Sequence, residues 1–377
     1  MSIASAFGFG GKKVRYAVVG LGDIAQASML PGIKHTGNSE LVALVTGDPE
    51  KARKVADQYG VEDTYGYDQF DAMLASGKVD AIYLATPNWR HAEFAIPALK
   101  AGIHVLCEEP LEVSVAQGEA IRAAADASSA KLMTAYRLHF EPGTLDAIEK
   151  IRDGQLGDLV AFTSCFGQMV DPKNHRTENG IEAGPLFDMG PYPINAIRYL
   201  FGAEPLEVVS AVGVRRSAEQ AANFDDTLAV TLKMPGNRLA QFTVSYAMNN
   251  VNSLIIAGTE GSIQMSPAYG FGDAIEQNVT IGEKKSHESF KVTDQFGGEM
   301  KYFSDCILEG RDPEPDAEEG IADLRVIEGI VRALETGQPQ TLPPFTRTRR
   351  IDPKDQLQTL RYVSPPKEEV NAASPTG

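Results

Sequence analysis

Residues 14–25 read VRYAVVGLGDIA, and this stretch narrows the possible folds more than any other part of the chain. Val14 to Val19 is short, β-branched and without period-two polarity, the pattern of a strand buried on both faces. It runs into Gly20-Leu21-Gly22-Asp23-Ile24-Ala25, a G-x-G-x-x-A turn. Apolar Met29, Leu30 and Ile33 then predict a helix. Strand, glycine turn and helix in that order open a dinucleotide-binding βαβ unit. The glycines permit the tight turn and let backbone approach a pyrophosphate, while the helix N-terminus faces its charge.

The alternation continues. Strands are predicted over Leu41–Val45, Ala81–Ala85, His104–Cys107 and Ala130–Ala135, and helices over Pro49–Tyr59, Tyr67–Ala75 and His91–Ala101. A parallel sheet covered on both faces follows from that order. Beyond Tyr136 the pattern changes. A helix runs to about Arg152, and longer strands follow over Leu159–Gly167, Leu206–Val214, Thr227–Lys233, Leu239–Tyr246 and Asn252–Gly258. Pro235-Gly236-Asn237 and Thr259-Glu260-Gly261 are hairpin signals. Helices Gly298–Gly310 and Glu318–Thr336 close the chain. The expected fold is an N-terminal α/β Rossmann domain (14–135) and a C-terminal α+β domain (136–363) with a large, mostly antiparallel sheet open on one face. An arm (1–13) precedes them, and a polar tail (364–377) is expected to be disordered.

A length of 377 residues suits two domains. The formal charge of −16 argues against a nucleic-acid binder. No apolar run approaches the roughly 18 residues of a membrane span, so no membrane partner is expected. Cys107, Cys165 and Cys306 are widely separated and odd in number, which suggests free thiols. The start carries no secretion-signal pattern, so a cytoplasmic location is expected; a leader removed from a precursor would make it periplasmic.

The end of the second strand bears on the cofactor. An NAD site places Asp or Glu there to accept from the ribose 2′-hydroxyl, whereas an NADP site must accommodate a phosphate. Here the strand ends in Thr46-Gly47, with Lys51 and Arg53 on the next helix. Asp48 is the competing acid, but its place before Pro49 reads as a helix cap. NADP is therefore expected. At the end of the fourth long strand, Glu108 and Glu109 precede Pro110. Ligands bind beyond the carboxyl ends of such strands, which puts both glutamates near the site rather than in open solvent.

Taken together, GLGDIA (Gly20–Ala25), ATPNWRHAEFA (Ala85–Ala95), AGIHVLCEEP (Ala101–Pro110), YRLHFEP (Tyr136–Pro142) and GPLFDMGPYPINAIRYLFG (Gly184–Gly202) resemble the glucose–fructose oxidoreductase and inositol dehydrogenase family, from about Val14 to about Leu342. The last two segments are most similar to its sugar-oxidising branch. The resemblance implies that Thr46, Lys51 and Tyr67 hold the 2′-phosphate of NADP, and that Thr86, Pro87, Asn88 and His91 line the nicotinamide end. It implies that Asp188 and Tyr192 orient and deprotonate a sugar hydroxyl, with Arg137 and Arg176 lining the sugar pocket. A homodimer or homotetramer built on the open sheet is implied as well, and the AFGFGG segment is similar to an arm that wraps the cofactor. The chain departs from the family at one position: Glu109 stands where the pattern E-K-P has lysine. An anion there disfavours a Tyr192 phenolate and favours a positively charged nicotinamide. Glu109 then suppresses catalysis, serves as the base itself, or turns toward a local cation. The leading reading is an NADP-dependent sugar oxidoreductase, impaired by Glu109. The alternatives are a non-catalytic NADP-binding sensor or regulatory protein, and an inositol- or biliverdin-type dehydrogenase.

Overall fold

The computed structural model describes residues 11–171, 174–177, 179–216, 224–347, 349–372 and 374. The expected cofactor-wrapping segment, AFGFGG, lies almost wholly outside them. Strands β1 (Val14–Val19), β2 (Ser39–Val45), β3 (Asp63–Tyr65), β4 (Ala81–Leu84), β5 (His104–Glu108) and β6 (Leu132–Ala135) form a parallel sheet in the order β3-β2-β1-β4-β5-β6. The order reverses between β1 and β4, and the crevice at such a switch point is where this architecture binds ligands. Alternate side chains of β1 feed two cores. Val14, Tyr16 and Val18 pack with Met29, Ile33 and Val55. Ala17 and Val19 pack on the other face with Phe70, Phe94 and Ile121.

Both cores are completed from far along the chain. Phe296, Met300 and Phe303 of helix Gln295–Glu309 enter the first, and Ile321 and Leu324 of helix Ala317–Thr336 enter the second. The predicted division at residue 136 therefore separates sheets but not cores. The first sheet lacks enough helices of its own to cover both faces, and the two C-terminal helices supply the cover. A further helix, Val115–Asp126, and the short β3 escaped the sequence reading.

The second sheet comprises β7 (Leu159–Met169), β8 (Glu207–Val214), β9 (Thr227–Met234), β10 (Arg238–Ser245), β11 (Ala247–Gly258), β12 (Gly261–Met265), β13 (Glu276–Ile281), β14 (Lys284–Ser289) and β15 (Gln340–Thr341). Their order is β14-β13-β12-β11-β7-β10-β9-β8-β15. Both predicted hairpins form, β9 with β10 and β11 with β12. The β7–β10 pair is parallel. After β7 the chain passes through helix Pro191–Phe201 to β8 at the far side, then returns by hairpins, so β10 arrives alongside β7 in the same direction. One face of this sheet holds the core of Phe162, Leu232, Val244 and Ile256. The other leaves Val160, Met169, Val212, Leu239 and Ile255 exposed. Among the described residues, no helix is long and apolar enough to cross a membrane.

Candidate active site

Between the two sheets lies a cleft of about 340 Å³. Its lining includes Gly20, Gly22, Asp23 and Ile24 of the glycine turn, then Thr46, Lys51 and Tyr67, then Thr86, Pro87 and Asn88, and finally Glu108, Glu109, Arg176, Asp188 and Tyr192. Gly20 has φ +94°, and a Cβ there would stand 2.5 Å from the Ala85 carbonyl oxygen, so only glycine lets β1 turn this close to β4. At Gly22 a Cβ would meet nothing within 4 Å, which leaves the backbone open for a ligand's approach.

At the end of β2, Asp48 Oδ1 accepts from the backbone N–H groups of Glu50 and Lys51, each at 3.0 Å. Its carboxylate thus caps helix Pro49–Tyr59, as the sequence suggested, and the hydroxyl of Thr46, Lys51 and the Tyr67 ring are left to face the cleft. Gly47 gives Tyr67 room: a Cβ would approach its ring carbons to 3.2 Å. The Arg90 guanidinium lies 4.6 Å from the centroid of the same ring. Arg53 stands apart, paired with Asp57 at 3.5 Å on the helix surface. Ala25 and Gly47 also lie behind the lining rather than in it.

His91 departs from its expected place. It is fully buried, with Nε2 at 3.0 Å from the Thr86 carbonyl and Nδ1 at 3.1 and 3.2 Å from those of Pro110 and Leu111. Burial lowers its pKa to about 4; as a neutral ring it carries one N–H, so it donates on one side only, to the Thr86 carbonyl or to those of Pro110 and Leu111, while packing between the loops after β4 and β5. It shapes the cleft without lining it. Trp89 and Phe296 do line it, and the sequence reading missed both. Trp89 lies inside a quoted motif, whereas no local signal marks Phe296, which arrives from 160 residues beyond Tyr136.

Asp188 accepts from Arg176 Nε at 3.2 Å, while the nearby Tyr246 hydroxyl donates to the Ala183 carbonyl at 3.1 Å. Tyr192 opens helix Pro191–Phe201 and packs edge-on against Phe166, ring centroids 5.2 Å apart. Arg137 does not line the main cleft. Its buried guanidinium sits behind Tyr192 in a small separate cavity, with Nε 3.3 Å from the Tyr192 hydroxyl. The carbonyls of Tyr269 (2.8 Å) and Gly270 (3.3 Å) and the Gln295 side chain hold it there. These acceptors come from a remote loop and from the start of helix Gln295–Glu309, so no local signal marks the inward turn. His139 is also buried, bound to Asn195 Oδ1 at 2.6 Å and Glu314 Oε2 at 3.3 Å.

Part of the segment expected as a polar tail touches the rest of the chain. Residues 364–372 form no helix or strand, yet Val370 N–H donates to Gln26 Oε1 (2.8 Å) and its carbonyl accepts from Gln26 Nε2 (3.0 Å). Asn371 donates to Asp48 Oδ2 at 3.2 Å, and Asn174 donates to the Ser374 carbonyl at 3.0 Å. A short apolar side chain, Val370, packs on the first core and anchors an otherwise polar segment.

The residues present fit a dinucleotide. Two polar atoms, Thr86 Oγ1 and Arg176 Nη1, belong to lining residues, are buried and have no hydrogen-bond partner. Buried groups of this kind call for a ligand or water.

The profile described as "Oxidoreductase family, NAD-binding Rossmann fold" matches residues 14–136, and the GFO/IDH/MocA C-terminal domain matches residues 144–264. D-xylose 1-dehydrogenase [NADP(+)] of Haloarcula marismortui is 31% identical over 86% of this chain and 91% of its own. The aldose-aldose oxidoreductase of Caulobacter crescentus, solved with glycerol, superposes with a TM-score of 0.83 at 34% identity, covering 88% of this chain and 100% of that one. KijD10, a 3-ketoreductase of Actinomadura kijaniata solved with NADP and TDP-benzene, gives a TM-score of 0.78 at 25% identity, covering 87% and 98%. With both domain profiles matched in order and the cleft built between them, the chain belongs to the GFO/IDH/MocA family of oxidoreductases.

Proposed function

We propose that this chain is an NADP-dependent sugar oxidoreductase that transfers hydride between the anomeric carbon of an aldose and nicotinamide. One observation carries the reading: a single cleft has a hydroxyl, an ammonium and an aromatic ring at the β2 end, with the nearby Asp48 engaged as a cap, and Tyr192 with the Asp188–Arg176 pair at the other. Bound NADP would supply the hydride acceptor or donor. Thr46, Lys51 and Tyr67 would hold its 2′-phosphate, and the backbone around Gly20 and Gly22 its pyrophosphate. Tyr192 exchanges the proton of the reacting hydroxyl. Asp188, held by Arg176, accepts from a sugar hydroxyl, and Arg176 Nη1 donates to a second oxygen. The names of the xylose dehydrogenase and the aldose-aldose oxidoreductase agree with this substrate class. Binding titrations with NADPH and NADH, followed by turnover with a panel of aldoses, test it. NADH binding as tight as NADPH, or no turnover with any aldose, would contradict it.

A second reading is a cofactor-binding protein without catalysis. It is favoured by the Tyr192 phenol, whose pKa burial drives far up and Glu109 drives further, which makes a phenolate base inaccessible near neutrality. Tight NADP binding without turnover would support that reading.

A further inference from the structure

Three carboxylates crowd together beside Tyr192, Glu299 fully buried and Glu108 and Glu109 half-buried in the wall of the cleft. Glu108 and Glu109 end β5, and Glu299 reaches them from helix Gln295–Glu309. Both carboxyl oxygens of Glu299 are buried without a hydrogen-bond partner. Glu108 accepts from the Tyr83 hydroxyl, and the charges of Glu108 and Glu109 act on one another. Glu109 and Tyr192 line the main cleft together, and Glu109, Arg137 and Tyr192 together line the small cavity behind it, where Arg137 faces Glu109. The groups around Glu109 are therefore Glu108 and Tyr83 from the first sheet, Arg137 from the segment after β6, Tyr192 from its helix, and Glu299 from the C-terminal side. Among the described residues, no group of His, Cys, Asp or Glu has the arrangement to hold a metal ion, so these carboxylates are not explained as ligands.

One guanidinium cannot balance three crowded anions, because like charges this close repel and the buried Glu299 would carry an unpaired, desolvated charge. Burial pushes the pKa of Glu108 and of Glu299 well above the ordinary carboxylate value, and their neighbours' charges push further. Burial also raises that of Glu109, but Arg137 opposes it. With that guanidinium beside it and opening on the cleft, Glu109 is the member of the cluster best placed to carry a negative charge, next to Tyr192.

Taking the oxidoreductase reading of Tyr192 as its basis, we infer that Glu109 is the terminal proton acceptor of aldose oxidation, and that Arg137 is the positioning residue that keeps Tyr192 and Glu109 together. Bound in its oxidised form, the nicotinamide would accept the anomeric hydrogen with the electron pair of its C–H bond. The hydroxyl proton passes to Tyr192 Oη while the proton already on Tyr192 passes to Glu109, and the C–O bond becomes C=O. Tyr192 is neutral before and after, so no free phenolate is needed. In the reducing direction Glu109 returns its proton through Tyr192.

The test uses the full chain loaded with NADP. Wild-type oxidation should rise with pH as Glu109 loses its proton, well below the pH range of a buried phenol. Glu109→Gln should lower kcat for oxidation by about 10²–10⁴-fold, the usual worth of general-base help, with NADP binding retained as evidence of folding. Infrared titration gives a readout independent of turnover: a carboxyl band should vanish in Glu109→Gln and shift in Tyr192→Phe. Arg137→Ala should lower kcat with little change in the sugar KM, and Arg137→Lys should recover part of that loss. Wild-type rate and pH profile in Glu109→Gln would overturn the inference while leaving the oxidoreductase reading standing. So would a faster Glu109→Lys, which would make Glu109 a suppressor. Absence of turnover in the wild-type protein would instead overturn the oxidoreductase reading, and the inference with it.

Discussion

Asp48 and Lys51 lie within one helical turn and divide the work at the end of β2. Asp48 spends its carboxylate on the backbone of helix Pro49–Tyr59, so Lys51 faces the cleft without an acid competing for a phosphate. Lys51→Ala should therefore weaken NADPH by about 1.5–3 kcal/mol, the scale of a hydrogen bond to a charged group, and leave NADH nearly unchanged in fluorescence titrations. Equal losses for both cofactors would place Lys51 away from the 2′-position. Glu299 makes a second residue-scale prediction. Burial raises its folded pKa, so its contribution to stability is complete below the ordinary carboxylate pKa and is lost as pH rises toward the raised value. The melting temperature of the wild-type protein should fall across that window, and Glu299→Gln should flatten the fall. Parallel pH dependences in calorimetry would show that Glu299 does not titrate there. The cap, the glycine turn and Tyr192 were legible because each announces itself in a few neighbouring residues. Glu299, Phe296 and the inward turn of Arg137 were not, because their roles arise from contacts across 130 residues or more.

At the scale of elements, helix Pro191–Phe201 sets where Tyr192 stands, and its far end is tied down by charge. Arg198 is fully buried and reaches Glu204 (2.7 Å), Glu319 (2.6 Å) and Asp323 (2.7 Å), the last two on helix Ala317–Thr336. The same helix Ala317–Thr336 packs on the first sheet, so this cluster couples helix Pro191–Phe201 to that sheet. Arg198→Met should cost about 3–5 kcal/mol, as removing one partner strands buried anions, and should lower activity in proportion to lost folded protein. Denaturant titration checks it, and a change under about 1 kcal/mol would contradict the account, being the scale of an exposed pair. Strands β7 to β11 were readable from alternation and turn chemistry. The parallel pairing of β7 with β10 was not, since the register of distant strands depends on the path of the chain between them. Strands β13 and β14 were hidden for another reason: β14 is polar and almost wholly exposed, and carries no buried stripe to read.

At the scale of the whole molecule, the described residues leave the outer face of the second sheet bare. Val212 and Ile255 are 60% and 42% exposed, with Val160, Met169 and Leu239 on the same sheet. An apolar face of this extent is covered in a stable protein, and a second copy of the chain is the expected cover. Light scattering at micromolar concentration should give a dimer or tetramer, and Val212→Glu with Ile255→Glu should give a monomer; a monomeric wild-type protein would contradict this. The two sheets and their order were largely legible in the sequence, while the sharing of cores between them was not, because it depends on helices that return from the end of the chain. The cleft those helices close is the site of the proposed reaction. Its most direct test is to load the protein with NADP, mix it with a panel of aldoses, and follow reduced nicotinamide by absorbance and fluorescence. The account predicts formation of NADPH together with the corresponding lactone; bound NADP that stays oxidised with every aldose would contradict it.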